Sequence, residues 1–203
     1  MGTADGDTLA LELQLEFSAG TIEGCVYTEL IIEAGYPPMR VAIIGNSGSG
    51  KSTLARTLAA GVVPVLDLDT VAWLPGQIAV PQDPAVAREQ LDAFCRAHAD
   101  WVIEGCYAGL IGAALEHAPH LVFLDPGCAA CQTNCRARAW EPHKYASPEE
   151  QDARLAFLLD WVADYYTRDG DMSFAAHRAL FDEYRGCKQH LVSLPGPDFA
   201  LAR

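Results

Sequence analysis

The stretch IIGNSGSGKSTLA, Ile43 to Ala55, joins a short β-branched run to a helix-forming run through glycine, serine and asparagine. Its centre, Gly45-Asn46-Ser47-Gly48-Ser49-Gly50-Lys51-Ser52, satisfies G-x-x-x-x-G-K-[ST] at every specified position. The residue types have a physical logic. Glycines let the backbone curl so that successive N–H groups converge on an anion. A helix N-terminus placed behind the loop adds a partial positive charge.

In such a loop Lys51 reaches the β- and γ-phosphates and the Ser52 hydroxyl ligates Mg²⁺. Gly45, Asn46, Ser47, Gly48, Ser49, Gly50, Lys51, Ser52 and Thr53 are therefore the expected nucleotide-binding residues, with ATP and Mg²⁺ as the bound pair.

Outward from the loop, strands and helices alternate, which implies a parallel sheet covered on both faces. RVAII is the strand before the loop, and the helix after it runs from Lys51 to a stop at Gly61. VPVLDLD, WVIEG, HLVFLD and HLVSL (190–194) read as four further strands. Asp83-Pro84 opens a helix with Leu91, Phe94, Cys95 and His98 on one face. Ser147-Pro148-Glu149-Glu150 opens another, whose apolar stripe is Leu155, Leu158, Leu159, Val162 and Tyr166. Ser173 caps a last helix ending near Gly186. The expected fold is α/β: a three-layer P-loop NTPase fold with a five-stranded parallel sheet and a helical lid.

Residues 1–38 differ from the rest of the chain. Met1 to Met39 holds seven acidic residues and no Lys or Arg, in a chain whose 203 residues carry a net charge of -13. LALELQLEF alternates with period two, as a half-buried strand does, and CVYTELIIEAG reads as a strand or a short helix. Pro37-Pro38 separates this acidic N-terminal extension, 1–38, from the domain 39–203. The acidic balance argues against nucleic-acid or anionic-membrane partners, which need a basic patch. No apolar run approaches the ~20 residues that span a bilayer, and the N-terminus lacks the basic n-region of a secretory signal and the basic, acid-poor character of a transit peptide. Seven cysteines at irregular spacing do not form a disulfide framework. The expectation is a reduced, cytoplasmic setting.

Phosphoryl transfer needs cations around the γ-phosphate, a positioned acceptor hydroxyl and exclusion of water. In a doubly wound sheet, residues just past the strand C-termini share one crevice. Asp67, Asp69, Glu104 and Asp125 all stand at such ends, and hard carboxylate oxygens suit Mg²⁺. Asp125, before Pro126, reads better as a cap of the following turn.

From Met39 onward the chain resembles the small P-loop kinases of the adenylate kinase and shikimate kinase type, topology modulation proteins among them. VLDLD resembles the Asp-x-Asp of shikimate-type kinases, which implies that Asp69 meets the acceptor hydroxyl. WVIEGCY resembles the apolar-Asp-Gly segment of nucleotide kinases. It implies that Glu104, standing where those kinases have Asp, holds Mg²⁺ together with Ser52 and Asp67. LVFLDP…CRARAW resembles the fourth strand, its helix and the lid arginines. By that likeness Arg136 and Arg138 are catalytic with Lys51 and Asp69, although their spacing is closer than in nucleotide kinases. Arg154 and Arg185 are weaker candidates. WEPHKYASPEE, 140–150, is the expected lid or acceptor loop.

Cys128, Cys131 and Cys135 lie on one helix face with His143 nearby in sequence, but structural zinc sites usually draw a second ligand pair from a distant loop. Small core residues are the expected reading. No N-K-x-D guanine signature appears, and VFLDP lacks the Glu that activates water in motor ATPases. The expected activity is transfer of the γ-phosphate of Mg-ATP to a small hydroxyl- or phosphate-bearing metabolite or nucleotide. The alternative is a nucleotide-dependent, partner-binding module with little transfer activity.

Overall fold

The computed structural model describes residues 38–74, 80–141 and 145–193, with positions 195, 196, 199 and 201. The acidic extension expected over 1–38 lies outside these residues up to position 37, and so do His143 and Lys144 of the expected lid.

Five parallel strands form one sheet in the order β2-β3-β1-β4-β5. They are β1 (Arg40–Gly45), β2 (Val65–Asp67), β3 (Trp101–Gly105), β4 (His120–Leu124) and β5 (Lys188–Leu191). Around them lie α1 (Lys51–Ala59), α2 (Asp69–Ala72), α3 (Pro84–Ala97), α4 (Ala108–Leu115), α5 (Cys128–Arg136), α6 (Pro148–Ala163) and α7 (Phe174–Glu183), with a 3₁₀ turn at Asp164–Tyr166. The expected α/β architecture with five parallel strands is the observed one. Among the described residues no helix is long and apolar enough to cross a membrane.

The central strand explains the layering. Side chains alternate across a strand, so both faces of a doubly covered sheet must be apolar. Val41, Ala42, Ile43 and Ile44 are each fully buried. Ala42 and Ile44 join Trp101, Ile103, Leu121 and Phe123 beneath α3, α4 and α7. Val41 and Ile43 join Val102, Val122 and Leu124 beneath Leu54, Ala55 and Ala59 of α1. Cys131, Cys135 and Val162 form a third, small cluster with Leu155, Leu158 and Leu159.

Local signals set the clearest helix ends. The Asp83 carboxylate accepts from the Ala85 and Val86 amides. The Ser147 hydroxyl accepts from Glu150 N, and Ser173 from Ala176 N. Gly61 follows α1 with φ +72°, the left-handed conformation expected there.

Three expectations shift, and one helix is capped from a distance. β2 is only Val65–Asp67, because Leu68 turns helical and Asp69 donates its amide to its neighbour Asp67 Oδ1 at 2.9 Å. β5 begins at Lys188 rather than His190, paired in register with Leu121. The Lys188 ammonium binds the carbonyls of Phe181, Asp182 and Tyr184, so the charge caps the end of α7 while its backbone starts the strand. The Tyr166 stripe position is replaced by Tyr165: α6 stops at Ala163 and the tighter turn changes phase, leaving Tyr165 buried and Tyr166 41% exposed. Finally, α4 carries no local cap and is capped from 62 residues away by Asp171, which accepts from Gly109 N.

His177 of α7 is fully buried under the sheet. Its Nε2 donates to the Cys106 carbonyl at 2.9 Å, and Nδ1 accepts from the Tyr165 hydroxyl at 2.7 Å. Burial lowers its pKa from the usual 6.5 to about 4; the Cys106 bond opposes this, and Lys51 and Arg168 add to it. The folded pKa lies below the unfolded one. The contribution of this group to stability is therefore complete above pH 6.5 and falls as pH drops toward 4. Between pH 7 and pH 5 the expected loss is about 2 kcal/mol. Urea unfolding at the two pH values measures it, and His177→Gln should flatten that window. Equal stability at both pH values would contradict the burial argument.

Candidate active site

The phosphate loop is shaped by contacts that reach well beyond the motif. Gly45 ends β1 so tightly against β4 that a Cβ there would stand 2.2 Å from the Leu124 carbonyl oxygen. Gly48 has φ +74° and lies against α5, where a Cβ would meet Cys131 O at 2.3 Å and Cys135 Sγ at 2.7 Å. Only glycine fits either position. Asn46 is almost fully buried: its Oδ1 accepts from Ser47 N at 2.9 Å, and its Nδ2 donates to Val162 O of α6 at 3.0 Å. Asn134 of α5 donates to Gly48 O at 2.8 Å. The loop is thus held between β1 and the α5–α6 pair. Lys51 lies at the head of α1, its Nζ donating to the Asn46 carbonyl at 2.9 Å.

Beside the loop stand the carboxylates. Asp67 and Glu104 are register partners on β2 and β3. Glu104 is buried and accepts a 2.5 Å hydrogen bond from the Ser52 hydroxyl. Burial pushes its carboxyl above the ordinary range; Lys51 pulls it back, and the nearby Asp67 charge pushes it up again. Asp69 opens α2 and accepts from the Tyr107 hydroxyl at 2.6 Å.

A cavity of about 750 Å³ opens beside the loop. Lys51, Ser52, Asp67, Asp69 and Glu104 form one part of its wall; Arg138 and Trp140 contribute from the segment after α5, and Pro195, Gly196 and Phe199 from beyond β5. The donor set of Ser52, Asp67 and Glu104 is hard oxygen on a concentrated negative charge. That chemistry fits a magnesium ion.

The two candidate arginines part company. Arg138 lines the cavity, its Nη1 3.2 Å from Glu141 Oε2. Burial works against its charge, yet Glu141, Cys135 and Tyr145 together keep its pKa above the ordinary value. Arg136, the last residue of α5, is exposed and absent from that wall; it lines a small neighbouring depression with Asp152 and Arg154, which Arg138 and Glu141 also border. Arg185 is exposed and absent from the cavity wall. Asp125 also stands outside that wall. Its carboxylate accepts from the Tyr166 hydroxyl rather than capping its own turn.

Cys131 and Cys135 are buried between α5 and α6, and burial pushes the Cys131 thiol up to about 12. Of the expected lid, Trp140 donates its indole N–H to Tyr145 O at 3.2 Å, and Gln151 ties the segment to α6 by accepting from Glu141 N at 2.8 Å. Sequence reasoning missed Asn134, which no motif marks. It also missed Tyr107, although that residue closes the WVIEGCY segment.

A family model described as an AAA domain matches residues 40–200. An aliphatic sulfonates import ATP-binding protein of Nocardia farcinica is 33% identical over 119 residues, which is 59% of this chain and 43% of that protein. The chain thus spans less than half the length of this curated relative. A gluconokinase structure from Sinorhizobium meliloti superposes with a TM-score of 0.44 at 20% identity, covering 78% of this chain and 85% of that one. A shikimate kinase structure from Aquifex aeolicus gives a TM-score of 0.43 at 17% identity, covering 79% of this chain and 90% of that one.

Proposed function

The chain belongs to the AAA domain family, and from that premise we propose that it is an ATP-dependent phosphotransferase acting on a small hydroxyl- or phosphate-bearing acceptor. One observation carries the reading. Lys51 at the loop and the three carboxylates Asp67, Asp69 and Glu104 line the same cavity. A nucleotide-binding switch needs the loop, but a carboxylate set beside it is what an acceptor hydroxyl and a magnesium ion require. The relative named an ATP-binding protein supports ATP as the nucleotide.

In this reading the loop amides and Lys51 bind the β- and γ-phosphates. Asp69 accepts the proton of the acceptor hydroxyl as its oxygen attacks the γ-phosphorus. The bond to the β,γ-bridging oxygen breaks, leaving ADP and the phosphorylated acceptor. Ser52, Asp67 and Glu104 would hold Mg²⁺, which supplies charge neutralisation at the phosphate oxygens. Arg138 faces the same space with a fixed charge and a planar fork suited to phosphate. Trp140 and Glu141, which line the same cavity, would help to exclude water from the reacting groups.

The test is incubation of the full chain with Mg-ATP labelled at the γ-phosphate and a panel of acceptors: gluconate, shikimate, ribitol, adenosine and adenosine 5′-monophosphate. The expected result is label on at least one acceptor at a rate that depends on Lys51. Nucleotide binding without transfer to any of them, or to a small-molecule extract, would favour a binding module instead.

A further inference from the structure

Resting on that phosphotransfer reading, we propose that Tyr107 is a positioning residue that orients the acceptor-binding carboxylate of Asp69. Asp69 opens the four-residue helix α2, which offers little stiffness of its own. Its aim must therefore be set from elsewhere. Two links from the end of β3 contribute to it. Leu68 N donates to Glu104 O at 2.9 Å, and the Tyr107 hydroxyl donates to Asp69 Oδ1 at 2.6 Å.

The tyrosine is itself fixed. It is 7% exposed, packs edge-on against Trp73 at 5.9 Å between ring centroids, and sits at the N-cap of α4. The residue before it, Cys106, accepts from His177 Nε2, and the Tyr165 hydroxyl donates to the other ring nitrogen, Nδ1. The hydroxyl is thus mounted on a turn anchored to α7 from beneath the sheet. Gly105 lets β3 approach closely enough, since a Cβ there would stand 2.7 Å from Leu68 Cβ. One carboxylate oxygen engaged by a rigid phenol fixes the plane of the group. That plane sets the direction of the second oxygen, and Asp69 is a residue of the cavity wall.

A group that orients another acts on the chemical step and not on nucleotide affinity. Tyr107→Phe removes one oxygen and keeps the ring in its packing. Initial rates are measured with Mg-ATP and the panel acceptor that gives the highest rate, for the parent, Tyr107→Phe, Asp69→Asn and the double variant. We expect kcat for Tyr107→Phe to fall on the order of 10-fold, with KM for Mg-ATP unchanged. The double variant should be no slower than Asp69→Asn alone, because the phenol acts through that carboxylate. Parent-like kcat in Tyr107→Phe would overturn the proposal and leave the phosphotransfer reading standing, as would losses that multiply in the double variant. Full activity in Asp69→Asn would overturn both the proposal and the role given to Asp69. Transfer to no acceptor would overturn the proposal and the phosphotransfer reading together.

Discussion

Lys51→Ala is expected to abolish productive use of Mg-ATP while leaving the sheet folded. The Lys51 ammonium stands at the loop, 2.9 Å from the Asn46 carbonyl, and its stem is buried at the head of α1. Bound nucleotide would draw that ammonium to the β- and γ-phosphate oxygens, where negative charge accumulates as the bridging bond breaks. Loss of such a group should cost on the order of 10³-fold in turnover. In the free protein the same substitution removes one hydrogen bond to a loop carbonyl, worth about 1 kcal/mol. The melting temperature should therefore fall by only about 4 °C. Calorimetric titration with Mg-ATP, thermal melts and turnover separate the two effects. Unchanged affinity together with unchanged turnover would remove Lys51 from the site.

The parts of the molecule legible in the sequence are those whose cause is local. The loop, its preceding strand and its following helix are specified within thirteen consecutive residues, Ile43 to Ala55. α3 and α6 announce themselves because their caps sit at their own N-termini. Glu104 and Asp67 are visible as carboxylates at strand ends, a rule that the parallel register then makes spatial by setting one opposite the other. The illegible parts have distant causes. The cap of α4 is supplied by Asp171, and its apolar sequence AGLIGAAL signals burial without a boundary. The slip of β5 results from Lys188 serving the end of α7, which no periodicity encodes. Tyr165 and Tyr166 exchange places because a helix tightens by part of a turn after Ala163. Within the site, Asn134 reaches Gly48 across 86 residues and Tyr107 reaches Asp69 across 38, so both contacts exist only once the sheet has assembled.

The arginines supply the second large expected effect, and the sequence treats them alike where the structure does not. Arg138→Ala should lower kcat on the order of 10³-fold, the scale of losing an arginine that stabilises charge on a transferring phosphoryl group. Arg136→Ala should change it less than about twofold, as exposed substitutions do. The reason is placement. α5 ends at Arg136, and two residues further on the chain has turned, setting Arg138 into the cavity wall while Arg136 stays in solvent. Arg138 meets Glu141 at 3.2 Å, a contact that holds the guanidinium at the cavity wall. Phosphate oxygens would compete for that same fork, and the advantage grows as negative charge develops on them. Lysine at 138 should restore little, because a point charge cannot reproduce two parallel hydrogen bonds. Steady-state transfer with the best acceptor of the panel checks this for Arg138→Ala, Arg138→Lys and Arg136→Ala. A raised acceptor KM with kcat intact in Arg138→Ala would make Arg138 a substrate-binding residue only. A larger loss in Arg136→Ala than in Arg138→Ala would reverse the assignment and require the end of α5 to turn toward the cavity when nucleotide binds.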